Sequence, residues 1–205
     1  SFSTYFSHHI STMEGGIIVT DDDELYQILL SLRAHGWTRD LPTKNLICSE
    51  KHKDSLEEDF RFVLPGYNVR PLELQGAIGI EQIKKLPIII SGRQKNAILF
   101  KKLLGSHPDL IIQKEVGKSS WFGFSLIIRP KSKLSRESLA NKLTSLGFEY
   151  RPIVAGNFAK NEVTKYFDSE VHGDLKNAEY IDKNGIYIGN NHCPMPDIFL
   201  ALEKL

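Results

Sequence analysis

His8 and His9 open the stretch His8-His9-Ile10-Ser11-Thr12-Met13-Glu14-Gly15-Gly16, a polar loop running straight into the apolar segment Ile17-Ile18-Val19. An imidazole titrates near neutrality, so either ring can carry a proton to or from a reacting atom. Adjacent histidines rarely converge on one ion and no His-x-x-x-His spacing is present, so a metal site is not indicated. Five residues before His8, Ser3 offers a hydroxyl donor at a strand end. His35 comes after an apolar helix, where a cation suits the helix dipole. Asn68 lies in a Gly-Tyr-Asn turn, where asparagine commonly serves the backbone. Arg70 can grip a carboxylate with two parallel hydrogen bonds or form a surface ion pair. Glu149 presents an acceptor-only group that suits a pair of N–H donors, and equally suits solvent. On residue type alone, each of these positions keeps both a chemical and a structural reading.

The elements that must position them are legible in outline. Ile17 to Thr20 is β-branched and reads as a strand. Thr20 to Asp23 supplies an N-cap and an acidic first turn, and Leu25, Ile28, Leu29 and Leu32 then form one helical face that stops near Gly36. Residues 37–59 are polar and aperiodic, a long loop of the kind that is usually functional or mobile. Leu64 to Asn68 is a turn, and helix resumes from Pro71 with Leu74, Ala77, Ile78 and Ile83 on its buried side. Pro87 is expected to break that helix, a second one running on to about Leu104. Gly105 to Pro108 reads as a hinge. Beyond it come strands at Leu110–Gln113, Trp121–Ile128, Phe148–Arg151 and Gly185–Ile188, with helices at Ser135–Leu146, Leu175–Lys183 and Pro196–Leu205. Strands alternating with helices argue α/β or α+β layers. The division expected is 1–105 and 106–205.

Bulk properties narrow the class. With 205 residues the chain can bury a full core, and a formal net charge of +1 gives no electrostatic case for nucleic acid or an anionic membrane. The longest apolar runs, such as Leu86 to Ile90, are too short to span a bilayer. Cys48 and Cys193 are far apart and form no CxxC, so neither a disulfide framework nor a zinc site is expected, and a reducing cytoplasm fits. No signal peptide is visible. The chain starts without methionine and in mid-motif, which reads as the C-terminal half of a longer protein.

The run SFSTYFSHHISTMEGG (Ser1 to Gly16) resembles the cofactor loop of the pyridoxal-phosphate sugar aminotransferases, the DegT/DnrJ/EryC1/StrS family. In that family a serine, four residues, a lysine and a polar stretch ending in Glu/Asp-Gly-Gly form the pattern. The resemblance continues in collinear order through RAHGWTR (Arg33 to Arg39), LPGYNVRPLELQGAIGIEQIKKL (Leu64 to Leu86), SSWFGFSLII (Ser119 to Ile128) and FEYRPIVAGNF (Phe148 to Phe158). It implies an α/β fold, the C-terminal part of an aspartate-aminotransferase-like (fold type I) enzyme: the end of the large domain plus a small α+β domain. His8 stands where the family carries its cofactor-linking lysine, an exchange that marks the nucleotide-sugar 3-dehydratases of 3,6-dideoxyhexose synthesis.

That branch implies pyridoxal 5′-phosphate and its pyridoxamine form as cofactor. It further implies GDP-4-keto-6-deoxymannose as substrate, L-glutamate as amino donor, a homodimer, and a place in colitose and O-antigen biosynthesis. An imidazole cannot link covalently to the cofactor aldehyde as an amine does, but it can act as the base. The C3 hydroxyl is then lost, and water releases a 3-deoxy ketosugar and ammonia. By the same resemblance Ser3 binds the cofactor phosphate, Asn68 reaches the phosphate across the dimer, His35 and Arg70 hold glutamate, Arg70 serving the partner's site as Asn68 does, and Glu149 reads the guanine edge. His9, Trp37, Trp121 and Arg151 are expected as site-wall or core residues. The glycine-serine-threonine phosphate loop, the ring-stacking aromatic and the pyridine-binding aspartate are implied in the N-terminal half. The rival readings are a 4-aminotransferase of the same family, which a lysine at position 8 would mark, and a non-catalytic fragment that needs a separate half. The iron–sulfur relatives need more cysteines than two.

Overall fold

The computed structural model of the chain describes residues 1–204, arranged in two compact units, Ser1–Lys85 and the described residues from Leu86 onward. The last residue of the helix expected at Pro196–Leu205 lies outside the described residues.

In the first unit, β1 (Phe2–Ser3) pairs antiparallel with β2 (Gly16–Ile17), and residues 4–15 form the loop between them. The strand expected through Thr20 is shorter than its apolar pattern suggested. Its partner offers two residues, so Ile18 and Val19 lie exposed and outside the ladder. Helix α1 (Asp23–Leu32) comes next. Asp22 caps it by accepting the Leu25 N–H at 2.9 Å, and Asp23 and Glu24 favour the positive end of the dipole.

Residues 37–59 are not a bare loop. They hold a hairpin, β3 (Lys44–Asn45) with β4 (Ser49–Glu50), and a short helix α2 (Ser55–Glu58). Side chains build it: Asn45 Oδ1 accepts the N–H groups of Ile47 and Cys48 at 3.1 and 2.8 Å. Glu58 accepts from the Thr38 hydroxyl, the His52 N–H (2.8 Å) and Arg61 Nη1 (3.4 Å). Led by the Thr38 hydroxyl, these donors hold the Glu58 carboxyl below the usual range.

Helix α3 (Glu73–Leu104) is continuous through Pro87, contrary to the expected break. Proline removes one i→i−4 bond and crowds the preceding turn, but packing of the helix beyond it offsets that loss: Arg93, Asn96, Ala97, Phe100 and Leu104 are all buried. The face expected to be buried earlier in α3 is largely open. Leu74 is 58% and Ile83 50% exposed, Ala77 is exposed, and Ile78 is half-buried.

The second unit is a four-stranded antiparallel sheet of order β5 (Leu110–Ile112), β6 (Gly123–Ile128), β8 (Gly185–Gly189), β7 (Tyr150–Arg151). Alternate residues Phe124, Leu126 and Ile128 of β6 and Ile186 and Ile188 of β8 point to one face. There they meet Phe100 and Leu104 of α3, Leu139 and Leu143 of α4 (Arg136–Ser145), and Ile198, Phe199 and Leu202 of α6 (Pro196–Glu203). The Phe100 and Phe124 rings stack at 4.3 Å and Phe199 meets Phe124 edge-on at 5.2 Å. Each fully buried ring contributes on the order of 1.5–3 kcal/mol. Ser135 and Ser138 close a capping box on α4, and α5 (Lys176–Asn184) leads into β8. The buried Asn96 amide donates to Asn190 Oδ1 (3.1 Å), Asn191 O (3.1 Å) and Cys193 O (2.7 Å), which ties α3 to the loop before α6.

Candidate active site

The loop that carries His8 is closed at its base by short polar contacts. The Thr4 N–H donates to Gly15 O (3.1 Å), the Thr12 N–H to Thr4 O (2.9 Å), and the two threonine hydroxyls meet at 2.7 Å. Thr12 Oγ1 also lies 2.7 Å from Glu14 O. Gly15 takes a φ of +133°, and a Cβ there would sit 2.8 Å from Thr4 Oγ1, so glycine is required. Helix α3 braces the loop: Gln75 Nε2 donates to Glu14 O (2.8 Å), and Gln82 Oε1 accepts the Ser11 N–H (3.4 Å). Within this frame His8 is half-buried in a turn, its N–H on Tyr5 O at 2.9 Å, with the Tyr5 ring 6.2 Å away and edge-on. Ser3 is exposed at the end of β1, and its hydroxyl oxygen accepts the Tyr5 N–H at 3.3 Å.

A second assembly forms where α1 ends. His35 has a φ of +63°, which turns the chain back, and residues 63–69 dock against it. The turn expected over Leu64–Asn68 is only a bend at Leu64, because the segment's backbone groups pair with residues 32–36. Four backbone bonds clasp the two: Tyr67 N–H to Leu32 O (2.7 Å), His35 N–H to Tyr67 O (2.8 Å), Val69 N–H to Arg33 O (3.0 Å) and Val63 N–H to Gly36 O (2.8 Å). The approach is so close that a Cβ on Gly66 would lie 2.1 Å from the Gly36 nitrogen. Asn68 is bridged to Ala34, and His35, Asn68 and Arg70 are thereby brought to one neighbourhood. Asn68 and Arg70 are exposed and His35 is half-buried. The His35 ring lies 4.9 Å from that of Trp37, and the Arg70 guanidinium 5.7 Å from the same indole.

Glu149 belongs to the second unit, exposed immediately before β7. Trp121 is a core residue, 4% exposed, its Nε1–H on Glu115 at 3.1 Å, and Arg151 lies over the Tyr187 ring at 5.0 Å. A cleft of about 400 Å³ lined by Gln113, Glu115, Ser119, Trp121 and Tyr187 contains none of the six candidate residues. Among the described residues no cluster of three or more His, Cys, Asp or Glu could hold a metal ion, and no helix is long and apolar enough to cross a membrane. Sequence reasoning passed over Arg39, Thr4 and Thr12. The first shows only its residue type, because the chain turns at His35 (φ +63°) and Gly36 (φ +85°) before reaching it, and no periodicity marks such a turn. The threonines had no signal either, because their meeting depends on how the loop closes.

The family model described as the DegT/DnrJ/EryC1/StrS aminotransferase family matches residues 1–192. The chain belongs to this family. It is 58% identical to GDP-4-keto-6-deoxy-D-mannose 3-dehydratase of Yersinia pseudotuberculosis over 100% of its own length and 53% of that protein. Among solved structures, a GDP-4-keto-6-deoxymannose-3-dehydratase with a trapped PLP–glutamate geminal diamine superimposes with a TM-score of 0.94 at 57% identity, covering 99% of this chain and 53% of that one. A substituted form of such an enzyme with bound GDP-perosamine gives 0.93 at 56% identity, covering 99% and 53%. The chain thus spans about half the length of the relatives it matches. Its fold is that of the C-terminal part of a fold-type-I PLP enzyme of the DegT/DnrJ/EryC1/StrS family.

Proposed function

We propose that the chain is the C-terminal half of a pyridoxal-phosphate-dependent GDP-4-keto-6-deoxymannose 3-dehydratase that uses L-glutamate as amino donor in 3,6-dideoxysugar (colitose, O-antigen) synthesis. The observation that carries the reading is the 58% identity to such an enzyme along the whole chain, joined to a histidine at position 8 of the braced loop. Residues 1–105 end the large domain and 106–205 make the small one.

The residues present suit the cofactor. Ser3 is exposed and accepts from Tyr5, so its own hydrogen can be donated to a phosphate oxygen. Asn68 adds an amide donor, which in a homodimer serves the site of the other protomer. When bound, the cofactor supplies an electron sink beside the sugar C4. His8 moves the proton at the cofactor C4′, held by the Thr4–Thr12 closure and by Gln75 and Gln82. His35 and Arg70 bind glutamate through its carboxylates. Glu149 accepts from the guanine N1–H and N2 amino group. Both cysteines are free, which fits the reducing cytoplasm where we place the enzyme.

The test is product identity. The complete enzyme, given GDP-4-keto-6-deoxymannose and glutamate, should release ammonia and a sugar lighter by one oxygen at C3. His8→Asn should lower that rate by about 10²–10⁴-fold while cofactor affinity holds. A 4-amino sugar as the main product of the unaltered enzyme would make it an aminotransferase and refute the proposal.

A further inference from the structure

Trp37 carries two guanidiniums. The Arg39 guanidinium lies 4.3 Å from the indole centroid and that of Arg70 lies 5.7 Å from it, with the His35 ring at 4.9 Å. Phe60 and Phe62 pack on the same indole at 6.1 and 5.6 Å. The backbone beneath is fixed: Trp37 is bridged to Phe62, the Thr38 N–H reaches Arg61 O at 3.2 Å, and the Thr38 hydroxyl is held by Glu58.

The charges around this ring do not balance. Neither Arg39 nor Arg70 forms an ion pair with a carboxylate among the described residues. Asp40 is taken by Arg33 at 3.5 Å, and Glu58 by Thr38, His52 and Arg61. Arg39 spends one hydrogen on Asp59 O at 3.2 Å. A carboxylate could hold two arginines in place, but it would neutralise them. An aromatic face attracts a guanidinium through its quadrupole and leaves the charge available. The choice of tryptophan points the same way. Its indole N–H is buried with no acceptor among the described residues, a cost that phenylalanine would avoid, whereas tryptophan gives the strongest cation–π attraction.

We propose that Trp37 is a positioning residue that holds Arg39 and Arg70 on its ring so that their two uncompensated charges, with His35, take a dicarboxylate. This rests on the proposal that His35 and Arg70 bind glutamate. It assigns the anchor of that subsite to Trp37 and the additional charge to Arg39.

The experiment uses the complete holoenzyme with Trp37→Leu, Trp37→Met, Trp37→Phe and Arg70→Ala, each checked for folding by denaturant unfolding. Trp37→Leu should raise the KM for glutamate about tenfold and weaken 2-oxoglutarate binding in calorimetry to match, leaving the KM for the nucleotide sugar unchanged. Trp37→Phe should recover most of the loss, because it keeps an aromatic face, and Trp37→Met, which also lacks a ring, carries the test if the leucine variant does not fold. Unchanged glutamate KM and 2-oxoglutarate affinity in the folded variant, with both impaired in Arg70→Ala, would overturn the role of Trp37 and leave the glutamate site standing. No effect in Arg70→Ala would instead overturn the glutamate site itself. A raised KM for the nucleotide sugar alone would mean that the charges serve a diphosphate, and the proposal fails.

Discussion

Thr4 and Thr12 meet hydroxyl to hydroxyl at 2.7 Å across the base of the loop that carries His8. Both are buried, and Thr12 Oγ1 also lies within hydrogen-bond distance of Glu14 O. A buried polar contact of this kind is costly to break from one side, because the remaining partner loses its hydrogen bond without regaining water. Thr12→Val keeps the shape and removes the hydroxyl. It should destabilise the protein by about 1–3 kcal/mol. It should also slow proton transfer at position 8 by up to about 10²-fold, as a shift on the order of 1 Å can do. Denaturant unfolding and single-turnover rates measure the two effects. An unchanged turnover rate in a destabilised variant would show that the closure serves stability alone.

Gly66 faces backbone on all sides: an added Cβ would lie 2.1 Å from Gly36 N and 2.5 Å from the His35 carbonyl carbon. Neither neighbour can yield without opening the clasp that brings Asn68 and Arg70 to His35. Gly66→Ala should therefore cost about 1–3 kcal/mol by overpacking and raise the KM for glutamate in the same variant. Equilibrium unfolding together with steady-state kinetics tests both. A loss of stability with unchanged KM would separate the clasp from the site.

Much of this was readable in the chain. The α1 cap at Asp22 and the α4 box at Ser135 arise from side chains that answer unpaired N–H groups locally. The β6 core arises from alternation in Gly123–Ile128. Where reading stopped, the cause was non-local. Pro87 marks a lost hydrogen bond, but whether a helix survives that loss depends on packing further along, here by Asn96, Ala97 and Phe100. The exposed Leu74 and Ile83 show that periodicity identifies an apolar face and not what covers it. Residues 37–59 looked structureless because their order comes from Asn45 and Glu58 side chains, which leave no period. At the site, the residue types of His8, His35 and Arg70 were legible. The convergence of His35, Trp37 and Arg70 needed a positive φ at a non-glycine residue, His35, that no pattern announces.

Glu115 gives a test by pH. Lys101 at 2.8 Å, then the Ser119 N–H and the Trp121 Nε1–H at 3.1 Å each, bring its carboxyl from 4.5 down to about 2. A carboxyl with a lowered folded pKa adds stability above its unfolded pKa and loses it as pH falls through the folded one. Its contribution should be complete at pH 7, shrink below about 4.5 and vanish near 2. Glu115→Gln should hence be less stable than the parent at neutral pH, with the difference closing on acidification. Urea unfolding of both proteins from pH 7 to pH 3 decides it. A gap that stays constant over that range would show that the carboxylate charge contributes nothing.

The central claim is that His8 occupies the cofactor-linking position of the family and acts there without a covalent bond. Replacing it with an amine is the most direct test. In the complete holoenzyme, borohydride treatment and then peptide mass spectrometry should find no cofactor mass on residue 8 of the parent. His8→Lys should carry that mass at residue 8 and show a new absorbance band before reduction. Cofactor mass on a different lysine, or on none, in the His8→Lys variant would contradict the placement of His8 and the mechanism built on it.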